Sequence, residues 1–76
     1  MPFIHVYAKR GRDMETKKRA AQAIVKAACE TLNAPETSFT LVFDEVDGDN
    51  WKEDVVQPIV EPLRDKILIE RGELIS

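Results

Sequence analysis

Apolar and polar positions change period several times along this chain, and each change marks an element. Residues 3–8, Phe3-Ile4-His5-Val6-Tyr7-Ala8, are rich in β-branched and aromatic side chains and read as a strand. Phe3, His5 and Tyr7 fall on one face, and Ile4, Val6 and Ala8 on the other. Both faces carry apolar bulk, which predicts a sheet covered on both sides. Gly11 then permits a turn, and Asp13 is suited to cap a helix. Ala20, Ala21, Ile24, Ala27, Ala28 and Leu32 recur at helical spacing and predict a helix over Met14–Leu32. Glu15 suits the positive end of that helix, whereas Lys17, Lys18 and Arg19 do not. Cys29 lies at the edge of the stripe as a small apolar filler. Asn33 supplies a stop, and Pro35 prevents continuation.

Alternation returns over residues 37–46, with Phe39, Leu41 and Phe43 on one face and Thr40, Val42 and Asp44 on the other. Strand, long amphipathic helix and strand make a βαβ unit with parallel strands. Asp47-Gly48-Asp49-Asn50 is a turn by composition. Asn50 also reads as the cap of a further helix, with Glu53 reaching back to it. Pro58 and Pro62 interrupt that helix, and Pro62 suits the start of a separate short helix over residues 63–70, ended near Gly72. Val55, Ile59, Leu63, Ile67 and Leu68 offer enough apolar surface to cover the second face of the sheet. The expected fold class is α+β: a β-α-β unit plus short C-terminal helices, in a single domain over residues 1–76.

Composition narrows what such a domain does. A chain of 76 residues buries only a modest share of its surface and needs help from disulfides, metals or oligomerisation. Cys29 is the sole cysteine, so no internal disulfide forms, and Cys29 with His5 makes no zinc set. Oligomerisation is the remaining aid. A net charge of −3 argues against a nucleic-acid partner. No apolar run approaches the roughly 20 residues that span a bilayer, and no signal-peptide pattern is present, so a cytoplasmic protein without a membrane partner is expected. His5 reads as a partly buried or interface histidine rather than a catalytic one.

The second residue carries the candidate chemistry. Initiator methionine is normally trimmed before a small residue such as proline, which would leave Pro2 with a free secondary amine. An ordinary α-amino group has a pKa of about 7.7–8.0, and desolvation or a nearby cation lowers it. An amine so tuned is a usable general base. Met-Pro is also an ordinary start to a chain, so the dipeptide alone decides nothing.

The order of Pro2 at a strand start, Arg12 after a glycine turn, a long helix, Asn33-Ala34-Pro35-Glu36-Thr37-Ser38 and then an apolar strand resembles the 4-oxalocrotonate tautomerases. Asn50-Trp51-Lys52-Glu53-Asp54-Val55-Val56-Gln57-Pro58-Ile59, with Arg71-Gly72 beyond it, resembles the longer-tailed subgroup of that superfamily. The resemblance implies a cofactor-free enol–keto tautomerase, with no metal, acting on a small 2-oxo acid. Pro2 would be the catalytic base, Arg12 would bind the substrate carboxylate, and Trp51 would wall the pocket. It further implies a homodimer that completes a four-stranded sheet. Thr40 stands where diacid-acting members carry an arginine, so an arylpyruvate-like monocarboxylate is favoured over a diacid. The competing expectation is a binding or assembly module for a small carboxylate, with only residual activity.

Overall fold

The computed structural model describes residues 1–75, which fall into two compact units, Met1–Val46 and a second beginning at Asp47. The first unit holds strand β1 (Phe3–Lys9), helix α1 (Met14–Leu32) and strand β2 (Thr40–Val46). β1 and β2 pair in parallel, with Phe3 opposite Thr40 and Lys9 opposite Val46. The expected β-α-β unit with parallel strands is therefore present.

Helix α1 is set by its ends as expected. The Asp13 carboxylate accepts from the Thr16 backbone N–H at 2.8 Å, satisfying a donor that the helix itself leaves unpaired. Asn33 closes the helix in the left-handed conformation (φ 55°), its N–H donating to the Cys29 carbonyl. The shielded face differs from the predicted stripe. Ala20, Ala21, Ile24, Val25, Ala28 and Cys29 are partly buried, whereas Ala27 is exposed and Leu32 is 61% exposed. The true stripe is rotated toward Val25 and Cys29, a difference that alanine-rich helices hide because small apolar residues occur all round them.

β2 begins at Thr40, three residues later than the alternation predicts. Glu36–Ser38 form a single 3-10 turn instead. The Ser38 hydroxyl and N–H both donate to the Pro35 carbonyl (2.7 and 3.0 Å), and the Phe39 N–H donates to Glu36. These local bonds compete with strand pairing and win.

The second unit is helical but irregular. A 3-10 turn (Gly48–Asn50) leads into a π-helix (Lys52–Val60) and a further 3-10 segment (Glu61–Lys66). Asn50 does not act as the expected cap. Asp47 accepts from the Asp49 N–H at 3.0 Å, and the π-helix follows with no side-chain cap. The π form has a cause in Pro58, which lacks an N–H and whose ring would strike the carbonyl four residues earlier in an α-helix. Val55, on this helix, is only 3% exposed.

The expected short helix over residues 63–70 forms only in its first part, within the 3-10 segment Glu61–Lys66. The 3-10 segment, which has Pro62 in its first turn, ends at Lys66, and a hairpin follows: β3 (Ile69–Glu70) against β4 (Glu73–Leu74). Arg71 (φ 54°) and Gly72 (φ 81°) form its two-residue loop, the positive-φ pair that a tight hairpin needs. Arg64 donates to both Glu61 and Glu70, tying the turn to the hairpin. Among the described residues no helix is long and apolar enough to cross a membrane.

Candidate active site

The parallel register gives the two ends of the β1–β2 sheet different chemistry. At the end where both strands begin, the Thr40 N–H donates to the Pro2 carbonyl at 3.2 Å. Pro2 is thereby fixed immediately before β1, half-buried, while Met1 is fully exposed. Pro2 and Thr40 are the two sequence-predicted residues that one chain brings together.

Arg12 lies at the other end. At ~3.3 Å per residue, seven-residue β1 spans about 20 Å, so Pro2 and Arg12 do not meet within one chain. The turn leaving β1 is opened by Gly11, whose φ of +145° is rarely adopted by residues with a side chain. This turn aims the Arg12 N–H at the Glu45 carboxylate, where it donates to Oε2 at 3.1 Å. The Arg12 guanidinium donates through Nη1 to the Lys9 carbonyl at 2.9 Å and remains half-exposed. Lys17, from the first turns of α1, places its Nζ 3.4 Å from Glu45 Oε1. Glu45 is accordingly held below the usual carboxylate range, chiefly by the Arg12 backbone N–H and further by Lys17, against an opposing effect of burial.

Sequence reasoning missed Glu45. Its signal was available: alternation puts it on the face of β2 that carries Leu41 and Phe43, an apolar face turned toward α1. A carboxylate at such a position needs partners. The opposite face carries a second pair. His5 Nε2 lies 2.7 Å from Asp44 Oδ2, and the His5 ring stacks on Tyr7 at 4.2 Å, with Phe3 edge-on at 6.0 Å. His5 is thus occupied by neighbours on its own sheet face.

Trp51 belongs to the second unit. It is half-buried, stands at the start of the π-helix in helical conformation, and its N–H donates to Gly48. Two open clefts of the first unit lie on the α1 flank. One is bordered by Ala21, Val25 and Glu36, the other by Met14, Leu41 and Phe43. Neither is lined by Pro2 or Arg12. Among the described residues no cluster of three or more His, Cys, Asp or Glu side chains could hold a metal ion.

Comparison with known proteins places this strand–helix–strand unit in a known class of enzyme. The family model described as "Tautomerase enzyme" matches residues 2–56, and the chain belongs to that family. Membership assigns it to a class of isomerases. It is 29% identical over 73 residues to Tautomerase PptA of Pectobacterium carotovorum, covering 95% of this chain and 96% of that one. It is 37% identical over 51 residues to Probable tautomerase RSp0893 of Ralstonia nicotianae, covering 67% and 73%.

Proposed function

We propose that this chain is a cofactor-free enol–keto tautomerase of small 2-oxo acids, with the Pro2 amine as general base. The observation that carries the reading is the placement of Pro2. Its carbonyl is held by Thr40 while Met1, fully exposed, contributes no packing that trimming would forfeit. Once Met1 is removed, the neutral Pro2 nitrogen takes the proton from the enol hydroxyl. The oxygen becomes a carbonyl, the double bond shifts, and the proton is delivered to the adjacent carbon. Reactant and product are isomers, so the step balances without a co-reactant.

Arg12 supplies the carboxylate anchor, because a guanidinium meets a carboxylate in two parallel hydrogen bonds. Since Arg12 and Pro2 lie at opposite ends of one sheet, the complete site draws Pro2 from one chain and Arg12 from a second. A homodimer with a four-stranded sheet satisfies that need. It also answers the sparse core, since Phe3, Met14, Leu32, Leu63, Leu68, Ile69 and Leu74 are all exposed in the single chain. Thr40 offers a hydroxyl but no charge beside Pro2, which favours an arylpyruvate-like monocarboxylate over a diacid. We place the chain's activity in the cytoplasm.

The test pairs the mass of the purified chain with its turnover of phenylenolpyruvate. Trimmed protein should be active, with kcat/KM rising with pH to a plateau through a pKa below the ordinary α-amino range of about 7.7–8.0. Protein retaining Met1 has an amide at Pro2 and should be inactive, and Pro2→Ala should keep partial activity through its primary amine. Full activity with Met1 in place would exclude amine catalysis, and only residual activity in the trimmed protein would leave a carboxylate-binding module.

A further inference from the structure

The cluster at the Arg12 end has a division of labour that the proposed reaction does not by itself explain. Glu45 is only 10% exposed on its side chain and uses its two oxygens differently. Oε2 accepts from the Arg12 backbone N–H at 3.1 Å, while Oε1 faces Lys17 Nζ at 3.4 Å. The Arg12 guanidinium itself is 3.7 Å from Oε2, beyond hydrogen-bond reach, and its Nη1 is turned to the Lys9 carbonyl. Glu45 therefore grips the main chain of Arg12 and not its charge. The remaining guanidinium edge, Nη2 and Nε, has no hydrogen-bond partner among the described residues and lies on a half-exposed side chain.

We infer that Glu45 is the positioning residue for Arg12: it fixes the turn through the Arg12 N–H, and Lys17 draws off its second oxygen so that it does not close on the guanidinium. The inference rests on the proposed role of Arg12 as carboxylate anchor. A carboxylate beside an arginine ordinarily competes with an anionic substrate. Here the backbone bond and Lys17 divert that competition and leave a planar, two-pronged donor edge available. Lys9 sets the rotation of the guanidinium through its carbonyl, a contact that does not depend on the Lys9 side chain.

The experiment is steady-state kinetics on phenylenolpyruvate with the trimmed full-length protein, comparing Arg12→Ala, Glu45→Asp, Glu45→Gln and Glu45→Ala. Glu45→Asp keeps the charge but falls one methylene short of the Arg12 N–H, so KM should rise about tenfold with kcat little changed. Glu45→Gln keeps an acceptor oxygen at full reach and removes the competing charge, so KM should equal or fall below that of the parent. Glu45→Ala should resemble Glu45→Asp. If Glu45→Ala does not fold, the Asp and Gln pair still decides. A role limited to damping charge would lower KM in Gln and Ala alike and leave Asp unchanged, which overturns the inference. A merely structural role would lower kcat and melting temperature together without a KM split, which also overturns it. The failure of the underlying reading is separate: Arg12→Ala with unchanged KM removes the carboxylate anchor and the purpose of Glu45 with it, whereas raised KM in Arg12→Ala with parent-like KM in Glu45→Asp defeats Glu45 alone. A readout independent of turnover is the Arg12 amide proton. Its NMR shift should follow ionisation of Glu45 in the parent and lose that dependence in Glu45→Gln, and a shift indifferent to acid in the parent would overturn the contact.

Discussion

The two ends of the β1–β2 sheet differ in one property that matters for acid–base chemistry, the density of charge. At the Pro2 end the ordered partners are a backbone carbonyl, a backbone N–H and the uncharged Thr40. At the other end the charged groups of Arg12 and Lys17 each lie within 4 Å of the Glu45 carboxylate. A base that must be neutral gains from the first setting, since desolvation disfavours the ammonium. A carboxylate anchor needs the second. About 20 Å of strand separates them in one chain, so they serve one substrate only if a second copy turns its charged end toward the first copy's proline.

The strongest way to break that comparison is to divide the two ends between chains. An Arg12→Ala chain and a chain extended ahead of Pro2, so that its nitrogen is an amide, should each be impaired alone. Refolded together in equal amounts they should recover roughly a quarter of parent activity, because half of the dimers are mixed and each mixed dimer holds one intact site. No recovery on mixing would mean that Pro2 and Arg12 do not cooperate across chains.

A smaller effect should come from adding charge to the neutral end. Thr40→Arg places a guanidinium beside the Pro2 backbone and should shift selectivity toward a diacid such as 2-hydroxymuconate over phenylenolpyruvate by about tenfold, the scale of a hydrogen bond to a charged group. Relative kcat/KM for the two substrates measures it. An equal loss with both would show that the neutrality of this end, and not its substrate contact, is what Thr40 provides.

The smallest effect concerns stability in acid and sharpens the contrast from the charged end. Asp13 and Glu45 are both held below the ordinary carboxylate range, Asp13 by its hydrogen bonds from Thr16 and Glu45 chiefly by the Arg12 N–H. The unfolded chain, with values of about 3.9 for Asp and 4.3 for Glu, then takes up protons before the folded one. Their contribution is complete above those values and is lost as pH falls through them toward the depressed folded values. Urea midpoints should therefore decline as pH is lowered through this window, and Glu45→Gln should make the decline shallower. An unchanged slope in that variant would assign the acid sensitivity elsewhere.

Much of this protein is legible in the order of its residues, because the signals are local. The alternation of Phe3 to Ala8, the Asp13 cap and the Asn33 stop each act within a turn or a few residues, and β1 and α1 stand where those signals put them. Where two local signals compete, pattern alone misjudges the outcome. Thr37 and Ser38 continue an alternating run, yet the Ser38 hydroxyl closes a turn on Pro35. Pro58 predicts interruption, yet the helix widens to a π form and continues. Gly72 marks a helix end on paper and, with Arg71, closes a hairpin in fact, since Ile69 and Glu70 gain the cross-strand partners Leu74 and Glu73.

The same division applies to the site. Sequence by itself drew attention to Pro2, by its place directly after Met1, and to Arg12 only through the resemblance to a known family. Only the tertiary structure decided which groups share an end of the sheet, because strand register joins Pro2 to Thr40 and Arg12 to Glu45 across 33 or more residues of chain. Register is a relation between strands, fixed when β1 and β2 pair, and no stretch of either strand read alone contains it.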